Sequence, residues 1–228
     1  MEEINLETNY RKRFSELWDD DRFANIPELN GGYLFDKIIK VNALLFIGIN
    51  PSIDKGNSVS ERIFCDNSPE NQSHPYFKKF PNVAERAGLA WSHFDLLGIR
   101  NTNQSEISKF LKDSNSNSNE SKFVTEHLKI SKEIIIAAKP KIIVVSNTLA
   151  RDLMGYDNKP NKYKRVCMDF NFEFDDKIGT YRITNNDLDG TPIFFSSMLT
   201  GQRALDIGSF KRLMWHVNHV NSSIDGQR

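Results

Sequence analysis

The stretch ALLFIGINPS, residues 43–52, decides the fold class of this chain. Its first five residues are all apolar, and the run then breaks at Gly48, Asn50 and Pro51. A continuous apolar run that ends in turn-forming residues is typical of a strand buried on both faces. Strands of that kind occur in parallel sheets that are covered by helices. The stretch therefore predicts an α/β fold, with a sharp loop where the strand ends.

Three further segments have the character of buried strands: residues 91–99 (WSHFDLLGI), 141–147 (KIIVVSN) and 192–198 (PIFFSSM). Apolar residues at helical spacing lie between them. This alternation predicts a three-layer α/β/α sandwich around a mostly parallel four-stranded sheet. Alternating apolar and polar residues at 166–174, followed by a polar turn at 175–179, predict an added β-hairpin near residues 163–184.

The chain of 228 residues is long enough for one sizeable core, so we expect a single domain over residues 1–228. Apolar residues at spacings of three and four near the start predict a helix, and we interpret residues 1–40 as an N-terminal helical extension. Residues 113–121 (DSNSNSNES) have the composition of a polar surface loop.

Composition excludes several classes of protein. Lys and Arg number 30, as do Asp and Glu, so the chain is not a globally basic nucleic-acid binder, although a locally basic groove is still possible. Two cysteines, Cys65 and Cys167, are too few for a disulfide scaffold. No secretory signal is visible, and no apolar run approaches the ~20 residues of a membrane helix. We expect a cytoplasmic protein without membrane contact.

The ligand site is expected at one end of the sheet. In open parallel sheets, ligands bind beyond the carboxyl ends of the strands. The candidate loops are therefore those after Ile49, Ile99, Val145 and Phe195. The histidines show no metal-ligand spacing with cysteines or carboxylates, so we expect neither a metal nor another cofactor.

The sequence GINPS at residues 48–52 is similar to the first motif of the uracil-DNA glycosylase superfamily, a Gly-x-Asn-Pro-Gly/Ser turn after the first buried strand. FDLL at residues 94–97, followed by Arg100, resembles the family's base-reading strand, and AKPKIIVV at 138–145 resembles its helix–Pro–strand segment. The resemblance spans roughly residues 40–220. It implies hydrolysis of the N-glycosidic bond of a flipped uracil or other damaged base.

The resemblance also implies residue roles. Asn50 would orient the attacking water, and its neighbours in the turn would surround the base: Gly48, Ile49, Pro51 and Ser52. Asp54 is the nearest carboxylate and a candidate general base, or else a turn cap. Phe64 would stack on the base, with Tyr76 and Phe77 as rivals, or it is a core aromatic.

Asp95 stands where many members of the family have Asn. An ionised carboxylate only accepts hydrogen bonds, so it would suit guanine or a related purine and disfavour uracil. The alternative is a strand-end residue paired with Arg100 or a lysine. Contacts to phosphate are expected near the last helix, for which Ser209 is a plausible N-cap. The phosphate candidates are Arg100, Thr200, Gln202, Arg203, Ser209 and Lys211.

The chain departs from the family after the last strand, where the family has His-Pro-Ser and this chain has SSMLTGQR at residues 196–203. The four cysteines of the iron–sulfur branches are also absent. Three hypotheses therefore remain open: a DNA glycosylase, a non-catalytic nucleobase or nucleic-acid binder, and a hydrolase of free nucleosides or nucleotides. The expected partner is damaged or single-stranded DNA, or a free nucleobase or nucleotide, bound by a monomer.

Overall fold

The computed structural model describes residues 1–52, 61–66, 75–113, 118–155, 168–201 and 204–226. The strands in these ranges are β1 (Glu3–Asn5), β2 (Gly32–Asp36), β3 (Ile38–Lys40), β4 (Leu44–Gly48), β5 (Glu61–Cys65), β6 (Trp91–Asp95), β7 (Ile142–Val145), β8 (Phe172–Asp175), β9 (Thr180–Ile183) and β10 (Pro192–Phe195). The α-helices in the same ranges are α1 (Leu6–Trp18), α2 (Phe80–Ala87), α3 (Gln104–Asp113), α4 (Asn119–Ala138), α5 (Thr148–Met154) and α6 (Ile207–Asp225).

A six-stranded, mostly parallel sheet with the order β6-β4-β7-β10-β9-β8 forms the centre of this mixed α/β structure. The strands β6, β4, β7 and β10 are parallel, which confirms the four predicted strands. The predicted hairpin is also confirmed within the described residues, as β8 and β9. The sheet has six strands instead of four because β9 pairs antiparallel with β10, so the hairpin extends the same sheet.

The two faces of β4 are buried in two different apolar clusters. Leu45 and Ile47 belong to a cluster that also contains core residues of α1, α4 and α5. Leu44 and Phe46 belong to a second cluster with core residues of α2 and α6. Side chains alternate between the faces of a strand, so the two clusters lie on opposite faces of β4. The uninterrupted apolar run of β4 is the direct consequence of this burial.

The N-terminal segment is not a helical extension. It contains β1, β2 and β3 besides α1, and its side chains form part of the main core. Phe14 is fully buried, and its ring stacks on that of Phe35 at a centroid distance of 4.1 Å. The strand β2 pairs in parallel with β5. Glu61 and Arg62 give β5 a polar sequence, so its strand character is hidden.

Two helix starts differ from the expectation. Ser118 caps α4 by accepting a hydrogen bond from the backbone N–H of Ser121, so the predicted polar loop at 113–121 is partly helical. Asp206, not Ser209, is the N-cap of α6. The helix α2 ends at Gly88, which has the left-handed conformation with φ 66° that glycine adopts readily. None of the helices in the described ranges is long and apolar enough to cross a membrane.

Substitution of Phe14 tests the integration of the N-terminal segment into the core. Phe14→Ala is expected to lower the free energy of unfolding by about 3–5 kcal/mol, because it leaves a cavity in the core. The matched control is Phe174→Ala, which removes a ring that is 53% exposed; its effect is expected to stay within about 0.5 kcal/mol. Urea unfolding measures both. Equal small effects would show that α1 contributes little to the core.

Candidate functional site

A cavity of about 380 Å³ opens at the carboxyl ends of β4, β6 and β7. All four loops that were expected to form the site contribute to its wall. The residues that line it are Leu34, Phe35, Asp36, Ile49, Asn50, Pro51, Ser52, Cys65, Tyr76, Phe77, His93, Asp95, Asn101, Thr102, Gln104, Ser146, Asn147 and Met198. The parallel register explains this convergence, since strands that run the same way end at the same edge.

The carboxamide of Asn50 is held in one orientation. Its nitrogen donates to the backbone carbonyls of Pro51 at 3.0 Å, Ile99 at 3.2 Å and Asn101 at 2.7 Å. Only an NH₂ group satisfies several carbonyl oxygens, so the assignment of nitrogen and oxygen follows from these partners. Because the nitrogen is committed to the backbone, the carbonyl oxygen is the atom left to contact a molecule in the cavity.

Gly48 leaves room for the carboxylate of Asp95. The two residues are direct partners in the register of β4 and β6. A Cβ atom at position 48 would stand 2.1 Å from Oδ1 of Asp95 and 3.0 Å from Nε2 of His93. Any side chain at this position would therefore displace the carboxylate. The requirement for glycine here is steric and does not come from an unusual backbone conformation.

Asp36, His93 and Asp95 form a buried series that we call the acidic array. Nδ1 of His93 lies 3.1 Å from Oδ2 of Asp36, within hydrogen-bond distance. Nε2 of His93 lies 3.6 Å from Oδ1 of Asp95, and this nitrogen is buried without a hydrogen-bond partner. The three side chains are 9%, 4% and 14% exposed, in chain order. Asp95 is thus the most accessible member.

The surroundings of the acidic array raise the pKa values of Asp95 and His93. Burial raises the pKa of Asp95 to about 6, against the attraction of His93 and with a smaller contribution from the charge of Asp36. Burial opposes protonation of His93, but the charges of Asp95 and Asp36 and the hydrogen bond that His93 donates to Asp36 together raise its pKa. Asp95 therefore carries a proton in part of the molecules near neutral pH, and the protonated form can donate as well as accept.

Aromatic rings form one wall of the cavity beside the array. Tyr76 and Phe77 meet His93 edge-on at centroid distances of 5.6 and 5.1 Å. The hydroxyl of Thr200 donates to the backbone carbonyl of Tyr76 at 2.8 Å and so fixes this turn. Burial raises the pKa of Tyr76, which consequently stays a neutral phenol. These two rings are available to contact a planar ligand.

Phe64 does not belong to the described cavity wall. Its ring packs against Phe14, Tyr33 and Phe35 at centroid distances of 5.7–6.5 Å. The guanidinium of Arg11 lies 5.1 Å from its centroid. The structure thus places Phe64 at the edge of the core, in agreement with the alternative prediction that it is a core aromatic. Phe35 is the member of this group that lines the cavity.

The predicted phosphate contacts are not brought together. Arg100 is buried and pairs with Glu61 at 3.3 Å, so it neither reaches solvent nor pairs with Asp95. At the start of α6, the carboxylate of Asp206 accepts from the backbone N–H of Ser209 at 3.0 Å and from its hydroxyl at 2.6 Å. This negative group already occupies the helix N-terminus and would repel a phosphate.

Of the remaining candidates, Thr200 binds Tyr76 as described above, and Lys211 lies on the exposed face of α6. Asp54, Gln202 and Arg203 lie outside the described residues. Within the described ranges, no three His, Cys, Asp or Glu side chains are arranged to hold a metal ion.

Two members of the array were not among the predicted site residues. His93 precedes Asp95 by two positions on the same strand, and this spacing alone places both on one face of the sheet. That signal was present in the sequence. Asp36 was harder to predict from the sequence, because the strand that carries it, β2, was not predicted. Its contact with His93 also joins residues that are far apart in the chain.

Comparisons with known proteins add no assignment. Neither the models of known protein families nor the curated proteins include a match to this chain.

Replacement of Asp95 tests its raised pKa. A folded-state pKa near 6, above the ordinary 3.8, means that the folded protein loses stability as pH rises through this window. Asp95→Asn cannot ionise, so its stability relative to the parent should increase by about 2–3 kcal/mol between pH 4 and pH 7. Urea unfolding at both pH values measures this, with the exposed Asp176→Asn as control. A constant difference would contradict the assignment.

Replacement of Gly48 tests the close approach to Asp95. Gly48→Ala should destabilise the fold by about 1–3 kcal/mol, because the new methyl group displaces the carboxylate. In an Asp95→Ala background the nearest obstruction is gone and the 3.0 Å approach to Nε2 of His93 remains, so the same substitution should cost less by about 0.5–3 kcal/mol. A double-mutant cycle by thermal or urea unfolding gives this coupling. Additive effects would show that the carboxylate is not what position 48 must accommodate.

Proposed function

We propose that this chain is a uracil-DNA glycosylase-like hydrolase that binds an extruded nucleobase in the cavity and hydrolyses its N-glycosidic bond. The observation that carries the proposal is the fixed carboxamide of Asn50, whose three backbone partners commit its nitrogen and leave its oxygen for the cavity. An acceptor held in this way can orient a water molecule toward the sugar carbon. The proposal includes a three-layer α/β/α sandwich, which the two apolar clusters on opposite faces of β4 support.

The size and wall of the cavity suit a nucleobase. Its volume of about 380 Å³ lies at the lower end of the range for small-molecule sites, about 300–1,000 Å³. Tyr76 and Phe77 offer rings, while Asp95 offers a hydrogen-bonding group for the polar edge of the base. Because Asp95 is partly protonated near neutral pH, the edge it prefers changes with pH. The neutral form suits a carbonyl next to an N–H, and the ionised form suits adjacent N–H donors.

The catalytic contribution of Asn50 would be positional. When the glycosidic bond breaks, the sugar carbon gains oxocarbenium character, and a water molecule must already stand beside it. The Asn50 oxygen accepts a hydrogen bond from that water and directs its lone pair toward the sugar carbon. An amide does not accept the proton itself, so the proton released by the water passes to solvent or to another group.

A free nucleoside is the second candidate substrate, and the charge of the site favours it. Among the described residues that line the cavity there is no Lys or Arg, whereas Asp36 and Asp95 are both present. Affinity for DNA depends largely on phosphate contacts by basic residues. The occupied N-terminus of α6 and the buried Arg100 remove two such contacts. An uncharged nucleoside needs neither.

A base-release assay tests the proposal. Single- and double-stranded oligonucleotides with uracil, hypoxanthine, xanthine or mismatched thymine, and the corresponding free nucleosides, are incubated with the parent, Asn50→Ala and the exposed control Asn30→Ala. Release is measured by chromatography and, for DNA, by alkaline cleavage at abasic sites. Asn50→Ala is expected to lose about 100-fold in rate, because the water is no longer held in place.

The class of substrate that reacts, oligonucleotide or free nucleoside, distinguishes the two candidate functions. Release from oligonucleotides supports the DNA enzyme, and release from nucleosides alone supports the second candidate. Absence of release from every substrate, together with saturable binding of a free base, would overturn hydrolysis and support the non-catalytic binder. Equal rates for the parent and Asn50→Ala would overturn the role of Asn50.

A further inference from the structure

We infer that Asp95 donates a proton to the departing base, and that His93 and Asp36 hold and position this proton without touching the base themselves. The inference rests on the proposed function and adds to it the acid that base release requires. It assigns a role to three side chains that the water-positioning step does not use. It also explains how release proceeds without the His-Pro-Ser segment that the resemblance led us to expect.

The charge of the cavity creates the need for such an acid. A base that leaves with the electron pair of the glycosidic bond carries negative charge unless it receives a proton. The described wall contains two carboxylates and neither Lys nor Arg, and its histidine, His93, lies buried between those carboxylates, so the wall has little positive charge to stabilise an anionic base. Release is favourable only if the leaving base is neutralised by a proton. Asp95 is the most accessible acidic group of the array and stands at the end of β6, beside the Asn50 loop.

The geometry supplies a route for the proton. Asp36 binds Nδ1 of His93 at 3.1 Å and thereby fixes the ring, which directs Nε2 toward Oδ1 of Asp95 at 3.6 Å. Nε2 is buried without a hydrogen-bond partner, an arrangement that is unfavourable in a purely structural histidine. A contraction of a few tenths of an ångström would place a proton between Nε2 and Asp95. His93 and Asp36 are positioning residues in this scheme, since Asp95 is the group that would touch the base.

The groups around the array allow it to keep a proton near neutral pH. Asp36 on β2 faces His93, and Asp95 lies beside His93 on the same strand, β6. Tyr76, in the turn at Pro75–Phe77, faces the two carboxylates. Sγ of Cys65 on β5 lies 4.0 Å from Oδ1 of Asp36. Burial raises the pKa of Asp95 to about 6, and the two carboxylates raise the pKa of His93 despite its burial.

The proton balance of the step closes without a further reactant. The C1′–N bond breaks, its electron pair passes to the base, and the proton on Asp95 moves to a ring nitrogen or to an oxygen conjugated with it. Water adds to C1′ and releases one proton, which reprotonates the array through solvent. One water is consumed, and the products are the neutral base and the sugar hydroxyl. Asp95 is ionised after transfer, and the proton shared with His93 offsets its charge.

Leaving-group dependence distinguishes proton donation from simple binding. The parent, Asp95→Asn and the exposed control Asp176→Asn are compared on the preferred base and on an analogue of the same shape that leaves more easily as an anion, such as uracil and 5-fluorouracil. Asp95→Asn keeps a neutral hydrogen-bonding group of the same size but has no acidic proton. It is expected to lose about 100-fold or more in kcat on the poorer leaving group and much less on the better one.

The pH profile is the second readout. For the parent, kcat/KM on the poorer leaving group should fall as pH rises above about 6, where Asp95 loses its proton. Asp95→Asn should show no such fall. His93→Gln and Asp36→Asn should shift the pH of the fall without abolishing release from the better leaving group. Circular dichroism and thermal unfolding verify that each variant is folded.

The outcomes separate this inference from the proposed function. If the parent releases base, and Asp95→Asn loses the same factor in kcat on both bases with an unchanged pH profile, proton donation by Asp95 is overturned. The proposed hydrolase function would then still be supported. The inference is supported if Asp95→Asn loses kcat on the poorer leaving group only, and if its kcat/KM no longer falls as pH rises. No release by the parent from either base would overturn both.

Discussion

Burial of β4 on both faces is the constraint on which the remaining structure depends. The strand lies between β6 and β7, and its alternate side chains enter the two apolar clusters. A strand in this position must be apolar throughout, and it must run parallel to its neighbours if helices are to connect them on both sides. The parallel arrangement then brings the ends of β4, β6 and β7 to one edge. The cavity is a consequence of that arrangement.

The end of β4 turns this architecture into a site. Gly48 has no side chain, so the carboxylate of Asp95 can lie against the strand, and Asn50 follows where three backbone carbonyls converge on its amide. Both features depend on close backbone approach. They place a neutral acceptor and a partly protonated carboxyl at one edge of the sheet, which is an arrangement suited to water positioning and proton donation at a shared substrate.

The acidity of the cavity sets this site apart from an anion-binding one. Two carboxylates and one histidine lie in a single buried group, in which burial raises the pKa of Asp95 and the two carboxylates raise the pKa of His93 despite its burial. A cavity of this charge does not attract phosphate, and the acidic N-cap of α6 has the same effect nearby. Contact with a phosphate backbone would need to involve other surfaces, whereas an uncharged base or nucleoside meets no such obstacle.

The sequence by itself determined the elements whose residues carry a local periodic signal. The apolar run of β4, the helical spacing in α1 and α4, the glycine stop of α2 and the turn of the β8–β9 hairpin were all readable, because each depends on neighbours within a few residues. The cavity-forming loops followed from the parallel topology. The tertiary structure alone decided the contacts between distant segments: β2 with β5, Asp36 with His93, and Phe64 with the aromatic core instead of the cavity. Pairing across long stretches of chain leaves no periodic trace in either segment, and a side chain's pKa depends on burial and on charges that only the folded chain brings near it.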